Sequence, residues 1–382
     1  MRPEILAHWD RLSPLLDEAL DLEPARRESW LDSLPPANAD LRPLLASLLA
    51  APEGGATAAA LPDLPAYPPG EEQAGESHAP GDLVAGWRLV RVVGRGGMGT
   101  VWLAEPAEGG ARMPAALKLP RVELPAAHIR ERFERERAFL AALNHPRIAR
   151  LLEAGVSAEG QPYLAIEYVE GGTIVEHCDA KAPGLRERVA LFLQVLEAVQ
   201  YAHANLVIHR DLKPSNVLVT ATGDVKLLDF GIAKLLDRGT ASAAETGLTQ
   251  RAGHVMTPDY ASPEQVAGLP LTTASDVYSL GVILFELLAG ARPYRLRRGT
   301  RAELEEAVLA ADTARPSTVA TAAIAARARE PATRWRRRLR GDLDTIVLKA
   351  LAKDPAARYP GADAFRADLA RILIAQARYA DA

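Results

Sequence analysis

The sequence predicts an α+β protein in which a small β-rich lobe is followed by a larger, mainly helical lobe, with a cleft between them. Three observations indicate this arrangement. Short apolar runs alternate with turns between residues 87 and 169, and apolar residues recur at helical spacing after residue 184. A Pro-rich stretch separates both regions from a small helical unit at the N terminus. With 382 residues, 48% of them hydrophobic, the chain is long enough for about two domains.

The overall charge and the cysteine content exclude several classes of protein. A formal net charge of −4 gives no sign of a protein that binds nucleic acid or a membrane surface. The single cysteine, Cys178, excludes an intrachain disulfide framework and a cysteine-based zinc cluster. The longest apolar stretch, residues 277–290, is too short to cross a bilayer and contains Glu286. We therefore expect no membrane span in this chain and no nucleic-acid partner.

Two segments precede the lobes. Residues 1–50 have apolar side chains at helical spacing, which predicts a small helical unit. Its role stays open between a docking or regulatory element and a passive appendage. Residues 51–86 are the predicted linker, because residues 51–81 contain six Pro and five Gly with almost no apolar periodicity.

The two predicted lobes differ in their apolar pattern. The first has strand candidates in the segments WRLVRVV, TVWLAE, AALKLP, ARLLEAGV and PYLAIEYV, and one charged amphipathic helix at 130–143. The second is mainly helical. Its predicted helices span residues 185–203, 275–289, 302–311, 343–353 and 362–375.

A glycine-rich turn separates the first two predicted strands. Glycines let the backbone come close to a phosphate, whose oxygens the backbone N–H groups can then bind. The dinucleotide-binding fingerprint has the same spacing but opens a helix, whereas Val101 lies in a segment that resembles a strand. A plain glycine hairpin stays the alternative. The turn consists of Gly94, Arg95, Gly96, Gly97, Met98 and Gly99.

Lys118 lies inside the apolar run AALKLP. A lysine on a mostly buried strand needs an anionic partner or a route to water. Glu136, in the charged helix, is the candidate partner, and Glu134 competes with it. A lysine that merely reaches solvent stays the alternative.

The loop between residues 207 and 219 is dense in polar side chains although apolar runs flank it. Asp211 and Asn216 lie five residues apart, and Asp229 follows after another strand-like segment. A carboxylate and an amide oxygen that converge from two loops suit Mg²⁺. A further carboxylate beside them can accept a hydroxyl proton. Each of these groups, taken alone, could instead cap a turn.

Seven motifs in order make the chain resemble the bacterial eukaryotic-type (Hanks-type) serine/threonine protein kinases. The motifs are GRGGMG, AALK, a helical Glu, HRDLKPSN, DFG, TPDYASPE and SDVYSLG, and they cover roughly residues 87–375. The resemblance implies a bilobal kinase fold with an N-lobe at 87–167, a C-lobe at 171–375 and a tail at 376–382. It also implies transfer of the γ-phosphate of ATP to Ser and Thr hydroxyls of proteins, with Mg²⁺ or Mn²⁺ as the cofactor.

The resemblance further implies bacterial signalling, autophosphorylation and a cytoplasmic location, either alone or as the cytoplasmic part of a longer membrane-anchored protein. A catalytically inactive pseudokinase that acts as a binding or scaffold module is the alternative. A small-molecule kinase on a related fold is a third hypothesis, which the TPDYASPE segment disfavours.

The family's catalytic roles transfer to this chain residue by residue. Asp211 would receive or orient the proton of the substrate hydroxyl, and Lys213 would neutralise charge on the transferred group. Lys118 would bind the α- and β-phosphates while paired with Glu136. The magnesium ligands that the family implies are Asn216 and Asp229.

By the same resemblance, ATP would lie between the glycine-rich turn and a hinge at residues 166–169. The turn, residues 94–99, would cover the phosphates, and Val101 would line the site. Backbone groups of the hinge would recognise adenine, with Ile166 at the gatekeeper position behind that pocket. The hinge residues implied to bind ATP are Glu167 and Val169.

Arg210, next to Asp211, is the family's marker for control by phosphorylation of an activation loop. Thr246 or Thr249 is the expected site of autophosphorylation. Thr257 belongs to a motif of the Ser/Thr class and is a further regulatory candidate.

The resemblance also implies structural contacts. Glu264 would form an ion pair with Arg358, and Asp276 would tie the catalytic loop to the helix that follows. The Arg-rich segment 334–340 is expected to pack or to face solvent, with a patch for nucleic acid or acidic lipid as the alternative.

Overall fold

The computed structural model describes two separate groups of residues. Near the N terminus these are residues 15, 30–31, 34–35, 38 and 41–49, and the others are 78–96, 99–107, 113–120, 143–158, 160–229, 258–294, 296 and 300–380. Residues up to His78 form one unit by their internal contacts, and residues from Ala79 form another. Each unit has a hydrophobic core of its own.

Helix α1, Arg42–Leu49, belongs to the first unit. Leu41 and Leu45 are fully buried, and Trp30 and Leu34 pack against them. Most of residues 1–50 lie outside the described residues. The helical unit predicted there therefore stays a prediction, as does its role.

A six-stranded antiparallel sheet forms the first lobe of the second unit. Its strands are β1 (Leu83–Val84), β2 (Trp87–Gly96), β3 (Gly99–Pro106), β4 (Ala115–Pro120), β5 (Leu151–Val156) and β6 (Pro162–Glu167). They pair in the spatial order β1-β2-β3-β4-β6-β5. Along β2, Trp87 and Leu89 are buried whereas Arg88 and Val90 are exposed, so one face of this strand contributes to the core.

The five strands predicted from the sequence are confirmed, and the sheet contains one more. Strand β1 lies inside the segment predicted as a linker, where Val84 pairs with Trp87 and is 2% exposed. The folded lobe thus begins before residue 87. A strand of two residues is too short to show a period of two, which is why the sequence did not reveal it. The helix predicted at 130–143 lies, except for Leu143, outside the described residues.

A second antiparallel sheet of three strands connects to the first lobe. Its strands are β7 (Gly171–Thr173), β8 (Val217–Thr220) and β9 (Val225–Leu227). The N–H of Ala149 donates to the carbonyl of Leu227 at 2.9 Å, and the N–H of Leu227 donates to the carbonyl of Arg147 at 2.8 Å. These bonds join the segment before β5 to β9, which leads directly to Asp229.

The second lobe is mainly helical. Its described helices are α2 (Ile174–Lys181), α3 (Leu185–Ala204), α4 (Pro263–Val266), α5 (Thr273–Ala289), α6 (Arg301–Ala310), α7 (Pro316–Val319), α8 (Ala322–Arg327), α9 (Ala332–Leu339), α10 (Asp342–Ala350) and α11 (Ala362–Ala380). Helix α5 is apolar on almost all sides and is buried along most of its length. Gly281 lets α10 approach it closely, because a Cβ at that position would lie 2.9 Å from the Cβ of Ala350.

The five helices predicted for the second lobe correspond to α3, α5, α6, α10 and α11. Helix α2 was not predicted, although its start has a sequence signal: Thr173 and Glu176 form a capping box. Helices α7 to α9 lie in the Ala- and Arg-rich region, where short helices leave little apolar periodicity. Among the described helices, none combines the length and the apolar content that crossing a membrane requires.

Candidate active site

The hairpin of β8 and β9 brings together two loops that are separate in sequence. Val217 pairs with Leu227, so the residue before β8 and the residue after β9 are neighbours. The N–H of Leu228 donates to the carbonyl of Asn216 at 2.8 Å. Asn216 and Asp229, the two predicted magnesium ligands, therefore lie at the same end of the hairpin.

His209 holds the start of the catalytic loop from inside the lobe. It is fully buried, and its Nε2 lies 2.8 Å from the carbonyl oxygen of Leu228. A carbonyl oxygen only accepts hydrogen bonds, so Nε2 is the protonated nitrogen, and Nδ1 accepts from the N–H of Asp211 at 3.4 Å. Burial lowers the pKa of His209, which keeps the imidazole neutral. The ring thus joins the two loops without adding a charge.

Asp276, in the first turn of α5, holds the same loop by its backbone. Its carboxylate accepts hydrogen bonds from the N–H of His209 at 2.8 Å and from the N–H of Arg210 at 3.0 Å. Nε2 of His203 lies 2.8 Å from the same carboxylate. The contact that the sequence implied between Asp276 and the catalytic loop is therefore confirmed.

Asp211, Lys213 and Asn216 form one cluster within the loop. Nζ of Lys213 lies 2.9 Å from Oδ2 of Asp211. Nδ2 of Asn216 donates to the main-chain carbonyl of Asp211 at 2.8 Å and reaches its Oδ2 at 3.4 Å. Because Asp211 engages the amide nitrogen of Asn216, the amide oxygen is the atom that can face a cation.

Lys118 in the first lobe forms an ion pair with Asp229 after strand β9. Its Nζ lies 2.7 Å from Oδ2 of Asp229, and the two side chains are 13% and 28% exposed. The half-buried lysine therefore has the anionic partner that its apolar strand requires. The partner predicted from the sequence, Glu136, lies outside the described residues.

The glycine-rich turn is the tip of the β2–β3 hairpin. Its cross-strand pairs are Gly94 with Val101, Arg95 with Thr100, and Gly96 with Gly99. Gly97 and Met98 lie outside the described residues. The turn is thus a hairpin that continues into a strand, which excludes the helix that a dinucleotide-binding fingerprint would open.

The glycines of this turn differ in whether the local backbone and packing require a residue without a side chain. Gly99 has a φ of +135°, and a Cβ there would lie 2.2 Å from the carbonyl oxygen of Leu119. The fold itself therefore demands glycine at this position. Gly94 has only the Cβ of Val101 near it, at 3.8 Å, and a methyl group added at Gly96 would have no described atom within 4 Å. Packing among the described residues does not explain these two glycines.

The predicted hinge follows β6. The carboxylate of Glu167 pairs with Lys226 at 2.7 Å, and the N–H of Glu167 donates to the carbonyl of Arg150 at 2.8 Å. The side chain of Glu167 is therefore engaged in an ion pair within the protein. Ile166 pairs with Ala116 on the neighbouring strand β4, and Val169 is half-buried just beyond β6.

Arg210 lies between the catalytic loop and α4. Its φ is +67°, and its carbonyl accepts a hydrogen bond from Nε2 of Gln265 at 2.8 Å. The regulatory threonines expected from the sequence, Thr246, Thr249 and Thr257, lie outside the described residues. The structure thus places the arginine but not the threonines.

Glu264 and Arg358 form a buried, two-pronged ion pair. Nη1 and Nη2 of Arg358 donate to the two carboxylate oxygens at 2.7 and 2.9 Å, and the side chains are 7% and 0% exposed. Burial alone would raise the pKa of Glu264, but hydrogen bonds from Arg358 and Ser275 outweigh it and hold the pKa below its usual value. The ion pair that the sequence implied is confirmed.

Two residues that support the loop were not singled out from the sequence. Gln265 reaches Arg210 across 55 residues of chain, and His203 reaches Asp276 across 73. Such contacts have no local pattern, and a lone histidine or glutamine in a helix is usually a surface residue. The proximity of His203 to the end of α3, just before the loop, is the one signal that could have suggested it.

Comparisons with known proteins agree with this geometry. The serine/threonine-protein kinase PknB of Mycobacterium leprae is 36% identical over 294 residues, which cover 75% of this chain and 43% of that protein. The serine/threonine-protein kinase PrkC of Bacillus subtilis is 34% identical over 285 residues, which cover 74% of this chain and 40% of that protein. The chain thus spans less than half the length of these relatives.

The solved structures agree in fold. The kinase domain of PknI from Mycobacterium tuberculosis superimposes with a TM-score of 0.55 at 27% identity, covering 78% of this chain and 99% of that one. A family model described as the protein kinase domain matches residues 87–368, which contain most of both lobes and the site between them. The chain therefore belongs to the protein kinase family.

Proposed function

We propose that this chain is a serine/threonine protein kinase, which transfers the γ-phosphate of ATP to Ser and Thr hydroxyls of proteins in bacterial signalling. The proposal rests on the arrangement of charged and polar groups at the ends of the two loops. Lys118 forms an ion pair with Asp229, and Asp211 contacts both Lys213 and Asn216. The names of the relatives, serine/threonine-protein kinases, support this substrate class. A pseudokinase has no support, because every charged group that phosphoryl transfer needs in this loop pair is present.

The donor set fits Mg²⁺. Asn216 offers an amide oxygen and Asp229 a carboxylate, and Mg²⁺ commonly takes one or two such protein oxygens together with phosphate oxygens. When bound, the ion neutralises charge on the phosphates. Mn²⁺ prefers the same oxygen ligands and can take its place.

Asp211 is the group that receives the proton of the substrate hydroxyl. Lys213, 2.9 Å from it, brings positive charge to the point where the transferred phosphoryl group needs it. The amide nitrogen of Asn216 holds the main-chain carbonyl of Asp211 and reaches Oδ2 of its carboxylate at 3.4 Å, so the carboxylate is already oriented before the reaction. The side chains thus act by position and charge, which is what phosphoryl transfer requires.

ATP lies, in this proposal, under the glycine-rich turn and against the hinge. The open space at residues 94–96 admits the phosphates, and Lys118 supplies a cation to them, with Glu136 as its proposed partner in the helix of the first lobe. Because the side chain of Glu167 is engaged by another residue, the backbone of Glu167 and Val169 recognises adenine.

We also infer that the kinase phosphorylates itself between Asp229 and Pro258. Thr246 and Thr249 are the candidate sites, and Arg210 would bind the resulting phosphate, whose charge is about −1.5 to −2. Mass spectrometry of active recombinant protein should detect phosphate on one of these threonines. An active enzyme whose segment has no phosphate would contradict the inference.

Incubation with labelled ATP, Mg²⁺ and a generic protein substrate tests the proposed reaction. Asp211→Asn and Lys118→Met should each lower the rate by about a hundredfold or more, since one removes the proton acceptor and the other the phosphate-binding cation. Arg186→Gln changes an exposed residue of α3 and is the matched control, which should keep full activity. Equal labelling by all four proteins would overturn the assignment of the site.

A further inference from the structure

Helix α9 has an arginine content that its own folding does not need. Between Pro331 and Gly341 the sequence contains five arginines and no acidic residue. Like charges three or four residues apart repel each other on a helix. Arg334 also lies in the first turn, where a cation opposes the helix dipole. The arginines of the last turn interact favourably with the dipole, but this offsets only part of the repulsion.

The helix is held in place by its apolar residues. Trp335 and Leu339 are both 0% exposed. The indole Nε1 of Trp335 donates to the carbonyl of Leu288 at 2.9 Å, and the guanidinium of Arg188 lies 5.9 Å from the centre of the indole ring. These contacts fix which side of α9 faces the core and which side faces solvent.

Two of the five arginines brace α9 against its neighbours. Arg336 donates two hydrogen bonds to the carbonyl of Ala320, at 3.0 and 2.8 Å. Arg338 forms an ion pair with Glu330. Both guanidinium groups therefore have structural partners inside the lobe.

The other three, Arg334, Arg337 and Arg340, are exposed and form what we name the arginine row. Within the described region, no hydrogen bond or ion pair joins their side chains to another residue. Arg334 and Arg337 lie three residues apart, about 4.5 Å along the helix axis, and Arg340 is the residue directly after the helix. No large apolar side chain between residues 310 and 373 is exposed, so the row is not accompanied by apolar anchors.

The chemistry of the row suits a partner that concentrates negative charge in a small volume. Guanidinium groups bind phosphate oxygens through two parallel hydrogen bonds, and a phosphorylated Ser or Thr has a charge of about −1.5 to −2. A helix that lies on a membrane needs apolar side chains beside its cations, which this surface lacks. A phosphate borne by a protein is therefore the partner that fits best.

We propose that the arginine row binds phosphorylated Ser- or Thr-containing segments of proteins, outside the catalytic cleft. The inference rests on the proposed kinase function, because that reaction supplies phosphoserine and phosphothreonine in the enzyme's own substrates. A substrate phosphorylated once would then be retained for a second transfer.

Fluorescence anisotropy with the full chain tests the binding directly. The protein has the Asp211→Asn substitution to prevent turnover, and the probe is a labelled peptide with two phosphothreonines separated by two residues. The triple variant R334Q/R337Q/R340Q should bind this peptide about tenfold more weakly or worse. The control R88Q/R186Q/R366Q removes the same charge from three exposed arginines elsewhere and should change binding by less than about twofold.

Three results would overturn the inference. The first is an equal loss of binding in the row variant and the control variant. The second is equal binding of a peptide that has Glu in place of phosphothreonine, which would assign the row to acidic segments in general. The third is row-dependent binding to phosphatidylserine vesicles without binding of the phosphopeptide, which would assign it to a membrane surface.

Two further measurements separate this inference from the proposed function. The row variant should melt no earlier than wild type, since its exposed like charges are removed, so a loss of binding cannot be ascribed to unfolding. Binding needs no catalysis. A wild-type chain that binds the phosphopeptide through the row but transfers no phosphate would disprove the kinase proposal and leave this inference standing.

Discussion

Gly96 and Gly99 belong to the same turn but are glycine for different reasons. Gly99 combines a positive φ with a close approach to the backbone of β4. Gly96 has neither constraint, and the space beside it is open. Replacement by Ala should therefore lower the stability of the fold at Gly99 and weaken nucleotide binding at Gly96.

Gly99→Ala should lower the melting temperature by several degrees, because the strained φ and the contact with Leu119 together cost about 1–3 kcal/mol. Gly96→Ala should leave the melting temperature nearly unchanged and raise the KM for ATP, because its methyl group enters the space proposed for the phosphates. Calorimetry and steady-state kinetics measure both effects. Equal melting temperatures for the two variants would show that the turn is not built as described.

The ion pair of Glu264 and Arg358 gives the fold a dependence on pH. The pKa of Glu264 is lower in the folded chain than the value of about 4.3 that an unfolded chain has. The stabilisation from the pair is therefore fully present above that pH and is lost as the pH falls through the folded pKa.

Glu264→Gln should lower the free energy of unfolding at neutral pH by about 3–5 kcal/mol, because it leaves a buried guanidinium without its counter-charge. The difference from wild type should narrow as the pH falls through the lowered pKa of Glu264 in the folded chain, where wild type also loses the charge. Urea unfolding at several pH values measures this. Glu305→Gln, which removes an exposed partner of Arg301, is the control and should cost about 0.5 kcal/mol or less.

At the scale of elements, Lys353 links α6 to the centre of the helical lobe. Its ammonium group donates to the carbonyls of Ala307 and Val308, at 3.2 and 2.7 Å, and to the hydroxyl of Tyr294 at 2.5 Å. The two carbonyls belong to the last turns of α6, where a cation is favoured by the helix dipole. Helix α6 in turn packs against α4 and the turn Pro258–Tyr260.

Lys353→Met keeps most of the side-chain volume and removes all three donated hydrogen bonds. We expect a loss of about 1–3 kcal/mol in stability, with faster amide hydrogen exchange in α6. The KM for protein substrates should rise while the KM for ATP stays unchanged, because α6 supports the segment after the activation loop rather than the nucleotide site. Lys349→Met, which loses only a contact with the ring of Tyr359, should have a smaller effect on exchange in α6.

How far the sequence predicts an element depends on whether its signal is local. The long helices α3, α5 and α11 repeat apolar residues over several turns, and the sequence predicts them to within a few residues, except for the later end of α11. Helix α9 has only two buried residues, Trp335 and Leu339, and its many arginines hide them. Its place in the core depends on the contacts of Trp335 with Leu288 in α5 and Arg188 in α3, which the sequence does not display.

At the scale of the whole molecule, the site depends on contacts between the two lobes. Lys118 with Asp229 and Glu167 with Lys226 both join the first sheet to the β8–β9 region, and the bonds of Leu227 add a backbone connection. A nucleotide that contacts both lobes should therefore stabilise the fold as a whole.

A nonhydrolysable ATP analogue with Mg²⁺ should raise the melting temperature. At a hundredfold excess over Kd, the added stability is about 2.7 kcal/mol. Asp229→Asn should abolish the part of the shift that requires Mg²⁺, and EDTA should have the same effect on wild type. A shift that neither treatment reduces would contradict the placement of the metal ligands.

The motifs of the catalytic loop could be predicted because their residues lie close together in the chain. The contact of Lys118 with Asp229 could not. The sequence required an anion near this lysine and favoured Glu136, which lies outside the described residues, and the structure shows a further carboxylate, that of Asp229, 111 residues away. Whether Asp229 reaches the lysine depends on how the lobes approach each other, and no local pattern records that.

The turn between β8 and β9 offers a position for an optical reporter of the site. Ala221 is exposed there, about 17 Å along β8 from Asn216, so a dye at this position would lie near the site without entering it. Burial raises the pKa of the native thiol, Cys178, to about 11, which leaves it almost unreactive. Ala221→Cys would therefore provide a single labelling position, and the fluorescence of the attached dye would follow the arrival and departure of nucleotide in real time.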